Sequence, residues 1–132
     1  MTKLNDIRQQ FLTGERALFH ARDLNIYDSF ISGEYLGWNA KNLTLVNCTI
    51  ESLQGMCYID NLVMKNCKLI NTTLAFEYST VEADITSRID SVLNPSGGTI
   101  KADSIGELTI EKDKVDPGKT VIICRDTAKQ VG

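Results

Sequence analysis

The sequence predicts an all-β fold: a single-stranded right-handed parallel β-helix, or solenoid, of about five 19-residue coils with a short N-terminal helical cap. Two observations predict it. Several columns of similar residues recur every 19 residues, and apolar residues inside each repeat alternate with polar ones. Alternation with a period of two is typical of strands that bury one face. The 132 residues suffice for one domain with its own core.

The apolar columns define the inward face of the predicted coils. The first column holds Leu24, Leu43, Leu62 and Val81. Two positions later comes a second, Ile26, Leu45, Met64 and Ala83, and a third holds Ser29, Cys48, Cys67 and Thr86. Coils of this length do not fold alone, because each exposes backbone groups that only a neighbouring coil can pair. We therefore expect each column to be a ladder of inward side chains on successive parallel strands.

Two polar columns flank the apolar ones. They hold Asp23, Asn42, Asn61 and Thr80 in one case, and Asp28, Asn47 and Asn66 in the other. Asn and Asp tolerate left-handed backbone conformations better than most residues. These columns predict the corners at which the chain turns. A leucine-rich repeat is the competing solenoid, but its L-x-x-L-x-L-x-x-N pattern is missing.

The two ends of the chain depart from the repeat. Residues 1–11 form the predicted cap, where Leu4, Ile7 and Phe11 have the spacing of a short amphipathic helix. Residues 12–89 are the regular coils, residues 90–98 an inserted loop, and residues 99–132 the C-terminal coil and cap. Arithmetic continues the Val81 column at Ile100, but we favour residues 107–110, whose Glu-Leu-Thr-Ile resembles the earlier repeats. Asp-Pro-Gly at 116–118 predicts a turn before a last strand at 120–124.

Composition narrows the function classes. The formal net charge is −3, and basic residues are scattered, so no surface for nucleic acid or for a membrane is expected. The N-terminus lacks the apolar stretch of a secretory signal, which predicts a cytoplasmic protein. One histidine and four cysteines without a C-x-x-C pair predict neither a metal site nor a cofactor. Cys48 and Cys67 are expected to be free thiols on the inward face.

Several segments carry a resemblance to a known family. Residues 14–19, Gly-Glu-Arg-Ala-Leu-Phe, and 23–29, Asp-Leu-Asn-Ile-Tyr-Asp-Ser, resemble the opening of a bacterial family of β-helix proteins of unknown function. Residues 33–38, 42–48 and 76–78, with Cys67, resemble its later coils, and residues 100–123 resemble its C-terminus. Members are sometimes labelled hydrolases. This chain looks like a shortened member, since it lacks the central coils with Gly-Glu-Ser-Pro-Leu and Tyr-Pro-Leu-Trp-Tyr motifs.

The strongest candidate site is a pair of glutamates one repeat apart, Glu15 and Glu34. Side chains in register on adjacent coils have backbones ~4.8 Å apart, and retaining glycosidases hold two carboxyl groups ~5–5.5 Å apart. Their neighbours, as candidate binding residues, are Arg16, His20, Tyr35 and Trp38. The alternative is an exposed turn in each coil, with Arg16 as an ion-pair partner and Trp38 in the core.

A second candidate is a short run of charge. Glu82 and Asp84 alternate on the outward face of one strand, beside Lys65. Calcium-dependent pectate lyases of similar fold use clustered acids and a basic residue on that face. The neighbouring outward positions are Asn25, Thr44 and Val63, so this cluster is too thin for a metal. We expect solvated surface charge.

Three function classes follow from the sequence. The favoured one is a module that binds an oligosaccharide or a protein partner through an outer face, because no complete catalytic set is present. The second is a glycoside hydrolase that uses Glu15 and Glu34. The third is a purely structural, shortened repeat protein. A stack this short leaves much of its backbone at two open ends, which predicts a homodimer.

Overall fold

The computed structural model describes residues 6–14, 18 and 20–125. It shows an all-β parallel solenoid of about six turns, as the 19-residue repeat predicted in kind, with one more coil than expected. The strands are β1 Asp6–Arg8, β2 Phe11–Thr13, β3 Arg22–Tyr27, β4 Phe30–Ser32, β5 Lys41–Val46, β6 Thr49–Glu51, β7 Asp60–Ile70, β8 Thr80–Ile85, β9 Arg88–Leu93, β10 Gly97–Ala102, β11 Ser104–Thr109 and β12 Thr120–Cys124. A 3₁₀ helix spans Pro117–Lys119.

Each coil has two sides made of strands. One side is the sheet β1-β3-β5-β7-β8-β10-β12, which we call sheet A. The other, sheet B, is β2-β4-β6 with the second half of β7. Strands β9 and β11 pair with each other. The third side consists of turns and bends at residues 33–40, 52–59 and 71–79. All strand pairs among the described residues are parallel.

The predicted apolar ladder is confirmed. Leu24 pairs with Leu43, Leu43 with Leu62 and Leu62 with Val81. The column members from Leu43 to Val81 are buried, together with Ile26, Leu45, Cys48, Ile50, Met64, Cys67, Leu69 and Ile85. The alternation of the sequence therefore defines the core. Cys48, Cys57 and Cys67 are buried free thiols.

The polar columns form the corners, as expected. Asn42, Asn47 and Asn66 have φ angles of 56°, 56° and 55°, in the left-handed region. Their amides also join the coils: Asn42 donates to Asp23 at 2.7 Å, Asn47 to Asp28 at 3.2 Å and Asn66 to Asn47 at 2.7 Å. Asn is favoured here for two reasons, since it tolerates the left-handed conformation and both donates and accepts along the stack.

The predicted N-terminal helix is wrong over its described part. Residues 6–8 and 11–13 are strands, while Leu4 lies outside the described residues. Ile7 pairs with Ile26, so the 19-residue register extends into this segment and adds a coil. Phe11 pairs with Phe30, and their rings stack with centroids 5.0 Å apart. Strand pairing with the next coil outweighs the local helical spacing, which three apolar residues define weakly.

The expected loop at residues 90–98 is also wrong, because β9 and β10 occupy most of it. The Val81 column continues at Gly98 rather than at Ile100, which pairs with Ala83, so this coil is shortened. Residues 107–110 do not continue the column either, since Glu107 pairs with Ser91 in β9. The last strand is confirmed as β12. Asp116 accepts from the backbone N–H of Gly118 at 2.9 Å to cap the 3₁₀ turn before it.

Candidate functional site

The third side turns sharply through left-handed residues. Met56 and Tyr58 have φ angles of 62° and 58°, and Phe76 and Tyr78 have 68° and 51°. This conformation costs ~1–2 kcal/mol for an L-residue with a side chain. The alternation turns Met56 and Phe76 into the core, where both are fully buried. It leaves the two tyrosines at the surface.

A groove of about 590 Å³ runs between sheet B and the third side. It crosses several coils, because its residues come from the ends of β4 and β6, the turns after β6 and β7, and β9. Its lining residues are Ser32, Gly33, Glu34, Glu51, Ser52, Leu53, Asn71, Thr73 and Asp90. Polar and acidic side chains predominate, and Leu53 adds an apolar surface that is 54% exposed.

Glu51 lies at the centre of the groove and is held from two sides. Ser32 pairs with Glu51 across β4 and β6, and its hydroxyl donates to one carboxylate oxygen at 3.5 Å. The Asn71 amide donates to the other oxygen at 3.3 Å. Each donor comes from a neighbouring coil, so the stacking of coils fixes the orientation of the carboxylate.

The other polar groups of the groove are held by the backbone or by a nearby cation. The Ser52 hydroxyl donates to the carbonyl oxygen of Glu34 at 3.0 Å. The Thr73 hydroxyl donates to the carbonyl oxygen of Leu53. Asp90 forms an ion pair with Arg88 at 3.8 Å. These bonds order the groove before a ligand enters.

Four aromatic rings form a column along the solenoid axis on the third side. Ring centroids lie 5.1 Å apart for Tyr35 and Trp38, 5.0 Å for Trp38 and Tyr58, and 5.8 Å for Tyr58 and Tyr78. The first two contacts are edge-to-face and the third is stacked, both favoured geometries. The Trp38 indole donates to the carbonyl oxygen of Gln54 at 2.6 Å, which fixes the ring. We call these four residues the aromatic column.

Ionisation near the aromatic column is suppressed. Desolvation raises the pKa of the Tyr58 phenol, and the nearby Glu77 carboxylate adds to this effect. Burial raises the pKa of the neighbouring Cys57 thiol to about 12. The Tyr58 phenol therefore stays neutral as a hydrogen-bond donor, and Cys57 is an inert core thiol rather than a nucleophile.

The structure brings together part of the predicted site. Glu34 lines the groove, and Tyr35 and Trp38 belong to the aromatic column, so the expected core position of Trp38 is wrong: it is half-buried. His20 donates its backbone N–H to the carbonyl oxygen of Trp38 at 2.9 Å. Glu15 and Arg16 lie outside the described residues, so the carboxylate pair stays a prediction.

Sequence reasoning missed most of the groove and half of the aromatic column. Trp38, Tyr58 and Tyr78 recur every 20 residues, one more than the repeat, which was the available signal. Glu51 follows Ser32 by 19 residues, but their types differ, so no column drew attention to them.

The second candidate is engaged in a structural contact. Arg125 binds the Asp84 carboxylate at 2.9 Å and the Asp103 carboxylate at 2.9 Å. Glu82, Asp84, Lys65 and Lys101 border only a shallow depression of about 170 Å³ on sheet A. Within the described ranges, no three His, Cys, Asp or Glu residues are placed to hold a metal ion. The same part of the chain has no helix long and apolar enough to span a membrane.

Comparison with known proteins places the chain in a family. No curated protein and no solved structure matches it. A family model described as a protein of unknown function, DUF3737, matches residues 2–123, which is nearly the whole chain. The resemblance noted in the sequence agrees with this match in one respect, a β-solenoid family of unknown function. The protein thus belongs to the DUF3737 family of proteins of unknown function.

Proposed function

We propose that the protein is a non-catalytic β-helix module that binds an oligosaccharide through the groove and the aromatic column. The observation that carries the proposal is a groove with Glu51 held between Ser32 and Asn71, on the side of the solenoid that also presents the aromatic column. Its volume falls within the range of small-molecule sites, ~300–1,000 Å³.

The chemistry of the groove suits a sugar. A saccharide presents hydroxyl groups around its ring edge and C–H groups on its ring faces. The carboxylates of Glu34 and Glu51 accept hydrogen bonds from hydroxyls, and the exposed surface of Leu53 packs against a ring face. Tyr58, with 39% of its surface exposed, offers a second apolar contact further along the third side. The groove crosses several coils, so it accommodates a chain of sugars rather than a single ring.

Thermal shift with a panel of defined oligosaccharides tests this proposal, because a ligand that binds only the native state raises its stability. We expect at least one oligosaccharide to raise the melting temperature of the wild type. The variants Glu51→Gln and Leu53→Ser should lose most of that shift. Glu82→Gln on sheet A is the matched control and should keep it. A panel without any shift would contradict the proposal and favour the purely structural class.

A glycoside hydrolase is the second candidate, and the position of Glu34 in the groove favours it. In this case Glu15 and Glu34 act as the carboxylate pair. Purified protein should then hydrolyse aryl glycosides, and Glu15→Gln and Glu34→Gln should each remove most of the activity. Activity that survives both changes would exclude the pair. We expect little hydrolysis.

We also propose a homodimer in the cytoplasm. In the described structure β12 pairs with β10 alone, and Val121 and Ile123 on it are 53% and 41% exposed. A strand edge of this kind favours pairing with a second copy. The buried free thiols Cys48 and Cys67 suit a reducing compartment. Light scattering at micromolar concentration tests the dimer, and a monomer near 14.7 kDa would contradict it.

Two further proposals concern the chain's origin and winding. Its likeness to the two ends of longer relatives supports a bacterial, shortened member of the family. The strong preference of parallel crossovers for one hand supports right-handed winding. An experimental structure would decide the hand directly.

A further inference from the structure

The groove has an unequal supply of hydrogen-bonding groups. The Ser32 hydroxyl and one N–H of the Asn71 amide are directed at Glu51. The Ser52 and Thr73 hydroxyls are directed at backbone carbonyl oxygens. Most side-chain donors of the groove are therefore used inside the protein. What remains for a ligand is mainly acceptors: carboxylate oxygens and the lone pairs of hydroxyl and amide oxygens.

The charges of the groove act in the same direction. Its described lining contains three carboxylates, those of Glu34, Glu51 and Asp90, and neither Lys nor Arg. Asp90 has an ion-pair partner in Arg88, at 3.8 Å. Among the described residues no cation forms an ion pair with Glu34 or Glu51. The groove thus carries a negative potential that attracts a cation and repels a uronic acid.

We infer that the groove selects a cationic oligosaccharide, an amino sugar with free ammonium groups. This inference rests on the proposed function and specifies its ligand class. An ammonium group supplies three N–H donors and a positive charge, which matches an acceptor-rich acidic groove. N-acetylation removes the charge and leaves one N–H, and a uronate replaces the donor group with a carboxylate.

A sugar fits this groove better than a metal ion or a basic peptide. The described residues contain no cluster that holds a metal. Leu53 and the aromatic column offer apolar surfaces for the C–H faces of sugar rings. A lysine side chain brings an ammonium group without such a face, so an oligolysine of matched charge serves as the probe for a basic peptide.

The experiment compares oligomers of equal length by isothermal titration at low ionic strength: glucosamine, N-acetylglucosamine and galacturonate oligomers, with oligolysine as a fourth probe. The pH is held where the glucosamine amines are protonated and the groove carboxylates are ionised. We expect the glucosamine oligomer to bind about tenfold more tightly than its N-acetylated counterpart, with no binding of the galacturonate oligomer. Salt should weaken the glucosamine oligomer more than the neutral one.

Variants assign the preference to the groove. Glu34→Gln and Glu51→Gln should each reduce the ratio between the two glucosamine oligomers towards one, and exposed Glu34 is the safer change for folding. Glu82→Gln should leave the ratio unchanged. Equal binding of charged and neutral oligomers, or a ratio that the groove variants leave intact, would overturn the inference while the proposed function stands. Binding of oligolysine alone would overturn both, as would no binding by any oligomer.

Discussion

The central and the C-terminal coils of this solenoid are built by different rules. From Leu24 to Val81 each paired residue is 19 positions from its partner, and amide ladders of Asp and Asn link the corners. After Val81 the spacing falls to 17 at Gly98 and then rises to 22 at Thr120. The corners there lack the amide ladder, and the ion pairs of Arg125 join β8 and the residues after β10 to the chain end.

The change begins at an irregularity in β7. Met64 pairs with Ala83 but Cys67 pairs with Ile85, so Lys65 and Asn66 together face a single residue. A bulge of this kind ends regular pairing and bends the strand. The Asn47–Asn66 bond is therefore the last of its column among the described residues. The comparison teaches that a solenoid keeps its stack after its sequence repeat has ended, provided that each new strand still finds an edge to pair.

The largest expected effect separates the two regions at Gly98. This residue has a φ of 110°, and a Cβ atom here would overlap the carbonyl oxygen of Val81. Gly98→Ala should lower the free energy of unfolding by more than about 4 kcal/mol, because the backbone itself must move. Gly97→Ala is the matched control, since its nearest contact would be an ordinary 3.4 Å. Urea denaturation of both variants measures the difference, and similar losses would refute this account of the short coil.

The next effect tests the ladder of the central coils. Leu62→Ala should lower the free energy of unfolding by ~2–5 kcal/mol, because the side chain is fully buried between Leu43 and Val81. Val63→Ala, on the outward side of the same strand, should cost less than about 1 kcal/mol. A loss below about half a kcal/mol at Leu62 would show that the column does not carry the core.

A smaller effect distinguishes the two roles of the corner asparagines. Asn47→Ala should cost about 1–3 kcal/mol, from the left-handed backbone and the bonds to Asp28 and Asn66. Asn47→Gly restores the backbone freedom and should recover about 1 kcal/mol of this loss. Chemical denaturation measures both. Equal losses would mean that the amide bonds alone stabilise the corner.

The smallest effect concerns the C-terminal ion pairs. Arg125→Ala should cost less than about 1 kcal/mol, because its side chain is 39% exposed and its partners Asp84 and Asp103 are 50% and 41% exposed. The loss should shrink in ~1 M salt, whereas the loss from Asn47→Ala should persist. Melting curves at two salt concentrations compare the variants. A salt-independent loss at Arg125 would assign its role to the bond with the carbonyl oxygen of Ile85.

The sequence predicted the central coils well for a physical reason. A strand column needs a buried apolar residue in every coil, and a left-handed corner needs a residue that tolerates it, so both leave a periodic trace. The ladder from Leu24 to Val81 and the corners at Asn42 and Asn47 followed from that trace. The N-terminal coil was missed because Leu4, Ile7 and Phe11 also fit a helix, and only the pairing of Ile7 with Ile26 decides between them.

The sequence by itself determined the repeat, its inward columns and the residue types at its corners, and it placed Glu34, Tyr35 and Trp38 in a candidate site. Only the tertiary structure decided the register after Val81, because a close backbone approach at Gly98 leaves no periodic signal. It also decided the groove and the aromatic column. Side chains that meet there belong to different coils and differ in type, so stacking joins them while the repeat does not reveal them.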